Sequence, residues 1–177
     1  MNPTTKKLVS LFVSLILMFP AYILLHEGGH ALAAISCGAR ITEFSILGAY
    51  MRYEGGRFTA VTLSLFHAAG MLLPVILAVV YMLAYRSGSR SVFYRIFSFF
   101  ALLMPVGSIL GWVVVPVLCL LGEAPGTDDA AKFIESSGLS PWIVLGGAAL
   151  LFAGCLLLAW RKKIPQNYWI AAKGDAP

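Results

Sequence analysis

Apolar residues run almost unbroken through four stretches of the chain, at 8–37, 61–85, 92–121 and 142–160. Each is close to or longer than the ~20 residues a bilayer-spanning helix needs. Pro20, His26, Glu27 and His30 interrupt the first, and His67 lies near the start of the second. Pro105, Gly107 and Gly111 predict a kink or break in the third. The fourth is bracketed by Trp142 and Trp160, as interfacial aromatics bracket a span, and is closed by Arg161, Lys162 and Lys163.

Polar residues collect between the spans. Segment 40–59 sets Ile41, Glu43 and Ser45 against Thr42, Phe44 and Ile46, and Glu54-Gly55-Gly56-Arg57 reads as a turn. A short β-hairpin on the membrane face is predicted there. Segment 123–141 contains Pro125-Gly126-Thr127-Asp128-Asp129, which predicts a loop and then a short helix over 130–137, stopped near Gly138 and Pro141. The predicted fold class is an all-α polytopic membrane protein, with about four transmembrane helices and a short β-hairpin-like segment after the first. Residues 1–163 are expected to form one integral membrane domain, and 164–177 a short, polar, loosely ordered tail.

Composition agrees. Asp, Glu, Lys and Arg make up 12% of the 177 residues, about half the usual share, while 59% are hydrophobic. Too little charge is present to cover a water-facing surface, which excludes a disordered chain, an ordinary cytosolic enzyme and a nucleic-acid-binding basic domain. Three widely spaced Cys show neither a disulfide framework nor metal-ligand spacing. The first apolar run is too long for a cleaved signal segment. The net charge of +5 is distributed by topology. With four spans, Lys6, Lys7, Arg86, Arg90, Arg95, Arg161, Lys162, Lys163 and Lys173 share one side, and Arg40, Arg52, Arg57 and Lys132 the other. The excess of positive charge predicts cytoplasmic N- and C-termini in a multi-pass protein of the cell membrane.

His26-Glu27-Gly28-Gly29-His30 carries the chemistry. Two His four apart lie on one face of a helix and can each give a nitrogen to one Zn²⁺. The Glu beside the first can serve as general base toward a water held by the metal. A carboxylate inside a span costs about 2.5–3.5 kcal/mol on insertion scales and marks function by default. Gly28 and Gly29 leave room for a substrate backbone or for a closely packed helix.

A catalytic zinc site usually takes a third protein ligand. His67, Asp128 and Asp129 are the candidates, with Glu43, Glu54, Glu123 and Glu135 behind them. His26 lies about 27 Å along the first helix from Leu8, toward the outer end of a ~30 Å bilayer core, and the Asp pair lies in an outer loop. One Asp can cap the short helix while the other binds metal. His67 reads as a hydrogen-bonded interhelical or supporting group, since a carboxylate commonly joins two His in such sites.

These residues resemble the site-2 protease-type intramembrane zinc metalloproteases. The resemblance runs from Phe19 to Pro141. It is carried by His26-Glu27-Gly28-Gly29-His30-Ala31 in a span, by the β-like segment, and by His67-Ala68-Ala69-Gly70-Met71-Leu72-Leu73-Pro74 opening the next span. It implies one Zn²⁺ per chain, held by His26, His30 and an Asp about a hundred residues later, with Glu27 catalytic. Family members often show Asp-Gly at that place. This chain has Asp128-Asp129, and Phe133 four residues on makes Asp129 the expected ligand. The resemblance further implies hydrolysis of a peptide bond in a membrane protein or peptide substrate, within the lipid bilayer, with no nucleic acid and with a regulatory partner as an open possibility. Many relatives open their site nearer the cytoplasm, whereas the charge distribution here expects the outer side. The alternative class is a non-catalytic metal-binding membrane factor or a small metal transporter.

Overall fold

The computed structural model describes residues 2–174. Six helices and one two-stranded sheet follow in the order α1 (Pro3–Ser36), β1 (Ala39–Ser45), β2 (Tyr50–Gly55), α2 (Ala60–Ala84), α3 (Val92–Leu121), α4 (Asp129–Ser137), α5 (Pro141–Arg161) and α6 (Ile164–Lys173). Four of them, α1, α2, α3 and α5, are long and apolar enough to cross a membrane. Lipid cannot satisfy backbone N–H and C=O groups, so each apolar run satisfies its own as a continuous helix. α1 and α3 pass unbroken through Pro20, Pro105 and Pro116. Within α1, Ser10 and Ser14 turn their hydroxyls back to the carbonyls of Lys6 and Ser10.

α1 packs on α2 and α3, and α5 packs on α3. Met82, Ile109 and Val75 are among the most buried side chains of the main core. Large apolar residues such as Phe12, Ile16 and Leu150 remain exposed, as lipid-facing positions do. One end of the bundle is tied by Lys7 Nζ donating to the Ala172 carbonyl at 3.3 Å and by Lys162 Nζ donating to the Leu83 carbonyl at 2.8 Å.

Two expectations change. The stretch after residue 163 is not a loose tail over 164–173, because it forms α6. Ile164, Asn167 and Ala171 fall at helical spacing and are buried, so this segment has a face to dock. Residues 175–177 lie outside the described region. The hairpin exists, but its turn is not Glu54–Arg57. β1 and β2 pair antiparallel from Ala39↔Gly55 to Ser45↔Tyr50, with a bulge between Ile41 and Glu43, and the connection is 46–49. Gly55 and Gly56, both at positive φ, instead bend the chain out of β2 toward α2. At Gly56 a Cβ would come within 3.0 Å of the Ala39 side chain.

Candidate metal centre

Three elements converge at the end of the bundle that carries the hairpin. α1 supplies His26 and His30 one turn apart, and α4 supplies Asp129. Thr59 starts α2 with a reciprocal capping box to Thr62. Asp128 starts α4, its Oδ1 accepting from the Ala130 N–H at 2.8 Å. The adjacent acids therefore divide their work. Asp128 is committed to the helix end, and Asp129, one residue further round, faces the imidazoles. α4 is held in place by Phe133 edge-on to Trp112 of α3, with ring centroids 5.3 Å apart, and by Ser136 Oγ 2.9 Å from Ser64 Oγ of α2.

His26 Nε2 lies 3.3 Å from His30 Nε2, His30 Nε2 lies 3.0 Å from Asp129 Oδ2, and His26 Nε2 lies 3.4 Å from the same oxygen. Tetrahedral zinc with ligands at about 2.0–2.1 Å has ligand–ligand edges of about 3.3 Å. The donor set and its spacing fit that ion. The tautomer of His30 argues the same way. Its Nδ1 donates to the Phe66 carbonyl at 2.8 Å, which leaves a bare Nε2 lone pair facing a carboxylate oxygen and a second imidazole. Such an arrangement needs a proton or a cation between the acceptors.

Gly70 makes the cradle. A Cβ there would lie 2.8 Å from His26 Cε1 and 2.9 Å from His30 Cε1, and closer still to His30 Nε2. Gly29 is equally restricted from the other side, since a Cβ on it would stand 2.7 Å from the Ala69 carbonyl carbon and nearer to its oxygen. Gly28 has open space beside it, with nothing within 4 Å. The two glycines thus serve separate ends: one allows α2 to approach, and the other leaves room.

A cavity of about 310 Å³ opens onto the triad. Glu27 is buried and lines it, as does His67. Tyr50 and Met51 of the hairpin and Thr127 and Lys132 of the α4 region also line it. Burial opposes ionisation of Asp129, but the His26 and His30 nitrogens that face it outweigh burial and hold its carboxyl well below the usual carboxylate range. It stands as an anion toward any cation at this point.

His67 does not join the triad. Its Nδ1 is 4.0 Å from Asp129 Oδ1, the oxygen turned away from the imidazoles, and is buried without a hydrogen-bond partner. Glu43 is occupied on the hairpin, bridged to Arg52 at 3.0 Å and hydrogen-bonded by Tyr50. Among the described residues, the group of His, Cys, Asp and Glu donors able to share a metal is His26, His30 and Asp129, which leaves out Glu54, Glu123 and Glu135.

Sequence reasoning did not single out the Phe66 carbonyl or the individual role of Gly70. Phe66 also joins the hairpin to the site, its ring lying 5.1 Å from His30, 5.3 Å from Tyr53 and 5.8 Å from Phe58. The signal available was the spacing of Phe66 and Gly70, four apart and so on one face of α2. No protein-family model, curated protein or solved structure matches the chain.

Proposed function

We propose that this chain is an intramembrane zinc metalloprotease that hydrolyses a peptide bond of a membrane-embedded protein or peptide. The observation that carries the reading is the meeting of His26 Nε2, His30 Nε2 and Asp129 Oδ2 within 3.0–3.4 Å of one another, with buried Glu27 lining the same cavity. Zinc held by His26, His30 and Asp129 would supply Lewis acidity and would lower the pKa of a water at the site to about 7.

The remaining work belongs to side chains. Glu27 receives a proton on a carboxylate oxygen and delivers it to the nitrogen of the leaving amine. His30 keeps its orientation through Nδ1–H and the Phe66 carbonyl, and so keeps Nε2 directed at the site. Tyr50, Met51, Thr127 and Lys132 bound the space open to an extended segment of substrate. A helical segment shields its peptide bonds, so the substrate must unwind locally to enter. Under this reading the cavity opens on the side opposite the cytoplasm, both termini are cytoplasmic and the protein resides in the cell membrane.

The test pairs metal analysis with cleavage of a membrane-reconstituted substrate. Wild-type protein should hold one Zn²⁺ and lose cleavage on chelation. Glu27→Gln should keep the metal and lose cleavage. Retained cleavage in Glu27→Gln overturns the base assignment. Stoichiometric metal with no cleavage in the wild type would favour a non-catalytic metal-binding factor.

A further inference from the structure

The opposite end of the bundle carries a separate electrostatic problem. Arg95 stands at the end of the first turn of α3, its N–H bonding the N-cap carbonyl of Ser91 at 3.1 Å. It is 93% buried, at 7% relative exposure. No carboxylate lies within 4.0 Å of its guanidinium among the described residues. Of the eight acids in the chain, Asp175 lies outside the described residues. The other seven stand in the second half of α1, on the hairpin, or on α4 and its approach. The first turn of α3 contains no acid.

A cation in this position is unfavourable twice over. The helix N-terminus is the positive end of the α3 dipole, and a cation largely withdrawn from solvent is disfavoured when no counter-charge stands beside it. An arginine that merely snorkels keeps its head free in water. Arg95 instead spends Nε on the Ser89 carbonyl at 2.7 Å, which fixes the guanidinium plane and leaves its outer N–H groups as a fork that none of the described residues takes up. The loop it holds is fixed from other sides too. Tyr94 OH accepts from the Arg86 N–H at 3.0 Å, and Asn167 Nδ2 of α6 donates to the Ser87 carbonyl at 2.9 Å. Arg86 and Arg90 stand exposed on that same loop.

We propose that Arg95, with Arg86 and Arg90, forms a binding site for the phosphate of an anionic phospholipid headgroup. A planar guanidinium fork matches phosphate geometry, and a pre-ordered loop spares the cost of assembling the site. Basic pockets at the cytoplasmic ends of membrane helices meet headgroups at this depth. The lipid supplies the counter-charge that the described protein lacks, and it locks the α2–α3 connection against α6.

The experiment uses the full chain in neutral detergent and counts retained lipid by native mass spectrometry, with phosphatidylglycerol, phosphatidylcholine and inorganic phosphate as probes. Wild type should retain phosphatidylglycerol about tenfold or more over phosphatidylcholine, the scale of one charge-assisted contact. Arg95→Gln should lose that preference, and Arg161→Gln, on exposed α5 surface, should keep it. Should Arg95→Gln fail to fold, the double variant Arg86→Gln/Arg90→Gln should weaken retention severalfold. Equal retention of the two lipids by the wild type overturns the site. So does undiminished preference in Arg95→Gln, or an equal loss in Arg161→Gln. If inorganic phosphate at millimolar concentration binds and phosphatidylglycerol shows no preference, the ligand is a soluble phosphate and the lipid assignment falls.

Discussion

Gly70 lies against His30 so closely that any side chain at position 70 would occupy the space of the imidazole. The would-be Cβ stands 2.9 Å from His30 Cε1 and 2.8 Å from His26 Cε1. α2 therefore acts as a backing plate for both histidines. Its Phe66 carbonyl sets the His30 tautomer, and its Gly70 sets how far the two rings can retreat from Asp129.

Gly70→Ala should consequently empty the metal site without touching a ligand. Both rings would have to shift, and a misplacement of tenths of an ångström spoils tetrahedral edges of about 3.3 Å. Gly28→Ala is the matched control. It has nothing within 4 Å, so it should leave zinc content unchanged and raise helix stability by up to ~1 kcal/mol. Gly29→Ala should instead lower stability by about 1–3 kcal/mol, because its Cβ meets the Ala69 backbone. Metal analysis and thermal unfolding of the three variants separate these outcomes, and equal behaviour of all three would remove the cradle from the account.

The adjacent aspartates should separate cleanly. Asp128→Ala removes the cap of α4 and should cost ~1 kcal/mol while zinc remains bound. Zinc should raise the unfolding temperature of the wild type, and Asp129→Ala should abolish both that rise and stoichiometric zinc. Zinc retention by Asp129→Ala together with loss in Asp128→Ala would reverse the assignment.

His67→Ala should keep zinc but weaken its binding by about 10–100-fold, the usual effect of a group one step behind the ligands. His67 Nδ1 stands 4.0 Å from Asp129 Oδ1, too far for a strong direct bond and near enough to bias that carboxylate's orientation. A chelator titration measures the change. Complete metal loss in this variant would make His67 a ligand.

How much of this was legible depended on the range of the interaction. The four spans were readable because lipid forces each apolar run into a self-satisfied helix, whatever its neighbours do. The His26–His30 pair was readable because i, i+4 geometry is local. That one of Asp128 and Asp129 caps α4 was readable as well, but which of the two turns to the imidazoles rested on the resemblance and on Phe133 four residues on. Gly70 and the Phe66 carbonyl matter only through the register of α2 against α1, which no local pattern encodes. The hairpin misled for a different reason. Glu54–Arg57 has the stronger turn composition, but the actual connection, 46–49, uses Gly48 and a left-handed Ala49 at φ 49°. α6 was missed because its ten residues bury only one narrow face.

The proposed side for the cavity mouth rests on two observations of different kinds, and they can be tested apart. Lys7 Nζ reaches the Ala172 carbonyl and Lys162 Nζ the Leu83 carbonyl, so the start of α1, the end of α2 and the end of α5 share one end of the bundle. Glu123, exposed beyond the C-terminal end of α3, lies at the other end with the metal centre. Geometry alone makes the two ends opposite. Under the proposed reading, the nine-to-four division of cations puts the crowded end in the cytoplasm. In a chain whose three native cysteines are replaced, Glu123→Cys should react with a membrane-impermeant maleimide in intact cells. Lys163→Cys should react only after permeabilisation. The reversed pattern would leave the fold intact and turn the site toward the cytoplasm, so that positive charge would not be what orients this protein. Labelling of both positions from one side would contradict the bundle itself, because the hydrogen bonds of Lys7 and Lys162 could not then form at the end opposite Glu123.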